Sequence, residues 1–144
     1  MSVCLTQEGG GYLWQSMLGI VSPGAYYVGL YASNYAPQHT DRQATYAAIE
    51  LVVSGYARIE LVNPSVDWSI APIALGSEST YLTLVWNFTA ACTLYGYWMM
   101  DHTQTYSIWA ELFATSYVYG AGGGGFGLVL APQLVSCPGL TLSC

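Results

Sequence analysis

The apolar stretches of this chain are short. Each is broken by Gly, Ser, Thr or Asn within about ten residues, and turn-forming residues return at intervals of about 8–15. A membrane-spanning helix needs about 20 apolar residues in a row, so no such helix is expected. Long amphipathic helices are excluded by the same breaks, whereas short strands joined by turns fit them. The 144 residues suffice for one domain with a hydrophobic core of its own. The expected fold is all-β: a single β-sandwich or jelly roll of seven or eight strands with one short N-terminal helix.

The spacing of Leu13, Trp14, Met17, Leu18 and Ile20 predicts that helix over 12–21, closed by Ser22-Pro23-Gly24 and preceded by an N-terminal arm over 1–11. Strands are then predicted at Ala25–Tyr31, Gly55–Val62 and Val66–Ile70. The strongest is Tyr81–Phe88, with Leu82, Leu84, Trp86 and Phe88 on one face. Thr93–Met100 and Thr105–Phe113 form a hairpin joined through Asp101–Gln104. A last strand, Leu128–Val135, carries Pro132, and residues 133–144 include the C-terminal tail. Tyr46–Val53 reads two ways: alanines 44, 47 and 48 permit a helical turn, while Leu51-Val52-Val53 suggests extended chain. Pro72–Ser79 is predicted as a turn-rich connection, and in the Gly-rich tract Gly120–Gly127 the run Gly122–Gly125 as a flexible loop or a close-packed backbone contact with a neighbour.

Composition points away from most chemistry. There is no lysine, and Arg42 and Arg58 stand against eight acidic residues, giving a net charge of −6. Charged residues make up 7% of the chain, where about a quarter is usual. Hydrophobic residues make up 53%, with 13 tyrosines and 5 tryptophans. Much of the surface must then be uncharged, and large surfaces of that kind mark protein–protein contact. Direct nucleic-acid binding is excluded, because phosphate neutralisation needs clustered Lys and Arg. No membrane partner is expected either, and residues Met1–Gly11 lack the basic-then-apolar pattern of a secretory leader.

No motif names a reaction. Gly122–Gly125 lacks the lysine of a phosphate loop and precedes a strand, not a helix. His39 with Asp41, and Asp101 with His102, read as polar loop residues. Cys92 sits among Ala90, Ala91 and Thr93 as an inert thiol, and the acids Glu50, Glu60, Asp67, Glu78 and Glu111 show no paired spacing. The Asn87-Phe88-Thr89 sequon falls inside a predicted strand. No catalytic, cofactor-binding or metal-binding residue is expected. Cys137 and Cys144 flank Pro138-Gly139, a spacing that suits either a small disulfide loop or two free thiols. The remaining constellation is aromatic: Trp86, Tyr95, Tyr97, Trp98, Tyr106 and Trp109 cluster on predicted adjacent strands. Such a group serves either as core and subunit interface or as a platform on which sugars stack.

The order of motifs from about Gly10 to Pro132 resembles a family of small tailed-phage virion proteins. The motifs are the short N-terminal helix, Gly24-Ala25-Tyr26-Tyr27-Val28-Gly29-Leu30-Tyr31 with Asn34, Asp41, Ala44-Thr45-Tyr46 and Gly55-Tyr56-Ala57. Trp68, Phe88, Tyr95-Gly96-Tyr97 and Trp109-Ala110-Glu111-Leu112-Phe113 continue the series. The glycine tract at 120–127 and the tail bearing Cys137 and Cys144 depart from that pattern. The resemblance implies a virion-associated β-sandwich protein without catalysis: a capsid cement (decoration) protein on the capsid surface, assembled in the host cytoplasm. Its implied partners are copies of itself, as a trimer, and the major capsid protein. A tail-fibre or glycan-binding module, or an extracellular filament subunit, are the alternatives.

Overall fold

The structure is a computed structural model that describes residues 4–20, 24–61, 68–73, 76–131 and 133–135. In chain order its elements are β1 (Cys4–Leu5), α1 (Gln7–Met17), β2 (Tyr26–Tyr31), α2 (Gln43–Ala47), β3 (Ile59–Leu61) and β4 (Trp68–Ile73). Then follow β5 (Gly76–Tyr81), β6 (Leu84–Phe88), β7 (Cys92–Met100), β8 (Ser107–Tyr119), β9 (Gly124–Leu128) and β10 (Gln133–Val135). The strands form an antiparallel five-stranded sheet ordered β1-β8-β7-β2-β3, a three-stranded sheet β10-β5-β4 and a two-stranded ribbon β6-β9. The fold is an all-β sandwich with an N-terminal helix, as the turn spacing predicts.

The main core lies between the five-stranded sheet and the ribbon. Val28, Leu30, Tyr97, Met99 and Phe113 of the sheet pack with Leu84, Trp86, Phe88, Phe126 and Leu128 of the ribbon. The ribbon's alternating burial is what places these side chains inward, with Val85 and Asn87 left outside. A second cluster fills the opposite face of the same sheet: Tyr31, Tyr46, Trp98, Met100 and Ala110, flanked by Tyr35 and Ile49. The segment running through α2 therefore acts as a cover. With the ribbon on one face and this segment on the other, β7 is buried on both sides and reads as a nearly continuous apolar run. The third sheet joins through Tyr81, whose N–H donates to the Leu130 carbonyl at 2.9 Å.

Several boundaries differ from expectation. The helix spans Gln7–Met17, not 12–21, so it occupies much of the predicted arm. Thr6 caps it: its Oγ1 accepts from the Gly9 N–H at 3.0 Å and donates to the Ser107 carbonyl. The helix ends at Met17, with Leu18 as its cap and Gly19 just beyond, before the predicted stop at Ser22-Pro23-Gly24. Gly19 takes φ +70°, while Gly19 N–H donates to Ser16 and Ile20 N–H to Gln15, the paired bonds of a Schellman ending. A second helix, α2, resolves the ambiguous stretch in favour of a helical turn just before it. The described residues hold ten strands, more than the seven or eight expected. The predicted turn-rich connection contains β5, and the glycine tract supplies β9. Tyr81–Phe88 is split at Leu82-Thr83, so Leu82 is exposed while Leu84 is buried, against their predicted shared face.

Candidate functional site

The aromatic residues singled out in the sequence do not converge on one surface. Trp86 and Tyr97 are buried in the main core, and Trp86 Nε1 donates to the Ala57 carbonyl at 2.8 Å. Trp98 is fully buried on the other face of the sheet, stacked on Tyr46 with ring centroids 5.9 Å apart. Tyr95 flanks that second cluster and Trp109 the main core, both half-buried. Tyr106 alone is exposed, at the end of the β7–β8 connection beside Tyr12. Neighbouring positions on a strand point to opposite faces, so proximity in sequence here means separation by a sheet. Three of the six are interior, so the six do not form a single exposed face. Cys137 and Cys144, the candidate disulfide, lie outside the described residues, as does Asp67.

Two carboxylates read as loop residues are buried hubs instead. Asp41 accepts from Tyr35 Oη at 2.7 Å, Tyr46 Oη at 2.9 Å and the Gln38 N–H at 2.7 Å, which ties the covering segment together. Burial, reinforced by the bond to Asp41, pushes the Tyr46 hydroxyl well above its usual range. His39 points elsewhere, with Nδ1 3.0 Å from the Leu5 carbonyl oxygen. Asp101 organises the β7–β8 turn by accepting from the N–H groups of Thr103, Thr105 and Tyr106 and from the Thr103 hydroxyl. His102, exposed, comes within 3.9 Å of that carboxylate.

Burial alone would raise the Asp101 carboxyl, but these hydrogen bonds outweigh it and hold it below the ordinary 3.8. A depressed folded value means that the stabilisation is present above 3.8 and is lost as pH falls through the folded value. Asp101→Asn is therefore expected to lower stability by about 2 kcal/mol at neutral pH. In chemical denaturation the gap should close as pH drops below the ordinary carboxylate value. A gap independent of pH would refute the role of the ionised group.

The third polar group surrounds Arg58. Its Nε and Nη2 form a two-point pair with Glu50 at 2.8 and 2.7 Å, and Nη1 donates to Gln104 Oε1 at 2.7 Å. Tyr56 Oη donates to Glu50 at 2.7 Å and accepts from the Leu30 N–H at 3.1 Å. The guanidinium also lies over the Trp98 ring, 5.5 Å from its centroid. The bonds of this group tie Arg58, on the approach to β3, to Glu50 and to Gln104 of the β7–β8 connection. Glu60 pairs with no second carboxylate across the ladder, where it faces Tyr27, and Glu111 is buried on β8. Burial raises the thiols of Cys4 and Cys92, the direction opposite to thiolate activation. Among the described residues no three His, Cys, Asp or Glu side chains form a metal-binding group. A cleft of about 190 Å³ lies between the first turns of α1 and Tyr106, lined also by Gln7, Glu8, Tyr12 and Gln15. That is smaller than the roughly 300–1,000 Å³ of ordinary ligand pockets.

What the surface does offer is apolar. Helix α1 turns Gly9 and Tyr12 inward and leaves Leu13, Trp14, Met17, Leu18 and Ile20 in solvent, with Trp14 65% and Met17 77% exposed. A second exposed set, Leu82, Val85 and Val129, belongs to the ribbon and its flanks, and Tyr117 and Val118 to the end of β8. Sequence periodicity marks the α1 stripe, and the docked helix shows that it points outward. No described helix is long and apolar enough to cross a membrane. The chain matches no protein-family model, and no curated protein matches it.

Proposed function

We propose that this chain is a non-enzymatic structural subunit of a phage particle, most simply a cement protein that adheres to the capsid surface and to copies of itself. The observation that carries the reading is the exposed apolar stripe of α1 on a chain with only two basic residues. A solitary protein keeps such side chains inside or dilutes them with charge. Several of the few charges, at Asp41, Asp101 and the Arg58–Glu50 pair, are engaged in internal tethers. The order of motifs across Gly10–Pro132, which resembles that of small tailed-phage virion proteins, suggests the setting.

The mechanism is adhesion. Burying apolar area contributes about 25 cal/mol per Å² before association costs, and a standard interface covers about 1,600 Å². Bound across neighbouring shell subunits, such a protein resists their separation by the area that separation would expose. The test is to mix the purified protein with heads stripped of decoration. Co-sedimentation with the heads and a higher temperature of head disruption are expected. A protein left in the supernatant at saturating concentration contradicts the reading.

A further inference from the structure

We propose that α1 pairs with α1 of a second copy, antiparallel across a two-fold axis; this deepens the assembly reading above and rests on it. The outward row Gly10, Leu13, Trp14, Met17 and Leu18 follows the three- and four-residue spacing of a single helix face. Its two ends differ in size. Gly9 is required by the fold, because a Cβ there would meet the Ile108 carbonyl oxygen at 2.0 Å. Gly10 and Gly11 are not: nothing lies within 4 Å of a Cβ at either position. Glycine is disfavoured inside a helix, so two that the chain's own packing does not need call for another reason. They leave a notch at one end of the stripe, and Met17 and Leu18 form the bulk at the other.

An antiparallel crossing centred near Trp14 sets Gly10 opposite Leu18 and Gly11 opposite Met17. The two-fold axis repeats the match, so each notch receives the other copy's bulk. Close approach of helices at small residues is the geometry such notches permit. Charge agrees. Glu8 is the charged residue of α1, and its carboxylate is turned inward to the N–H groups of Gln43 and Ser107 at 3.0 and 3.2 Å. The face is thus uncharged and lets two copies of a chain carrying −6 approach, while offering nothing for a charged partner to read. The area available from two copies reaches the lower end of the range of specific interfaces, about 1,200 Å² in total. With large apolar side chains presenting about 150–250 Å² when free, the exposed fractions at 13, 14, 17, 18 and 20 come to roughly 600 Å² per copy. A standard interface takes about 800 Å² from each partner.

Sedimentation equilibrium of the full chain decides it, with Gly10→Leu, which fills the notch, and Met17→Glu, which charges the bulk. A Cβ at position 10 meets open space and Met17 is exposed, and a cooperative melt establishes that each variant folds. The expected result is an even-numbered wild-type particle whose dissociation constant rises about 30-fold or more in each folded variant. A wild-type trimer, or variants that associate as tightly as wild type, overturns the pairing. Variants of unchanged size that no longer coat stripped heads also overturn it, and hand the α1 face to the capsid. Wild-type protein that pairs through α1 but ignores heads supports the pairing and removes the cement reading instead.

Discussion

Replacing Trp98 by alanine is expected to destabilise the protein by about 3–5 kcal/mol, a large part of the roughly 5–15 kcal/mol that holds a domain together. The ring is fully buried and stacks on Tyr46 at an interplanar angle of 19°. It also lies against Gly29, where an added Cβ would come within 2.6 Å of it. Removing it opens a cavity that rigid strands on one side and the α2 segment on the other cannot close. Tyr46 would lose its stacking partner and Arg58 the ring beneath its guanidinium. Trp98 Nε1 has no hydrogen-bond partner among the described residues, so no hydrogen bond is lost with the ring. Urea or thermal unfolding measures it. A variant as stable as wild type would place Trp98 on the surface, where a sugar-stacking role would again be open.

Gly9→Ala is expected to cost about 2–4 kcal/mol through steric conflict with backbone. A Cβ at this position falls 2.0 Å from the Ile108 carbonyl oxygen and 2.5 Å from its Cα, neither of which can swing aside. The same carbonyl accepts from the Thr6 N–H at 3.1 Å, so the start of the helix is pinned where the clash occurs. Relief requires α1 to lift from β8, exposing Tyr12 and breaking the Thr6 cap. The neighbouring Gly11→Ala, with open space around it within one copy, is expected to stabilise the monomer by about 0.5–1 kcal/mol through helix propensity, measured at concentrations too low for pairing. Opposite signs two residues apart in paired melting curves would establish the docking. Equal effects would contradict it.

Local pattern made the β7–β8 hairpin legible: apolar strands flank a polar Asp101–Gln104 turn whose hydrogen bonds lie within five residues of Asp101. The start of α1 was hidden for the opposite reason. Its cap depends on Thr6 meeting Ser107, 101 positions away, and three successive glycines look hostile to a helix until Ile108 is seen beneath one of them. The split of Tyr81–Phe88 escapes notice because two exposed residues at 82 and 83 preserve the alternation while changing sheets. The aromatic cluster was visible as composition, but its division between two faces depends on which loop covers the outer one. Asp41 shows that cover at work: a loop aspartate by sequence, it is buried because Tyr35 and Tyr46 fold back onto it. The outward turn of the α1 stripe likewise follows from Gly9 and Tyr12 claiming the inward side, a preference that hydrophobic spacing opposes.

Sedimentation velocity of the wild-type protein over a wide concentration range tests most directly whether this surface exists to be covered by its own kind. Particles of more than one copy, growing in proportion with concentration, are expected. A single 15.5 kDa species at every concentration would contradict it.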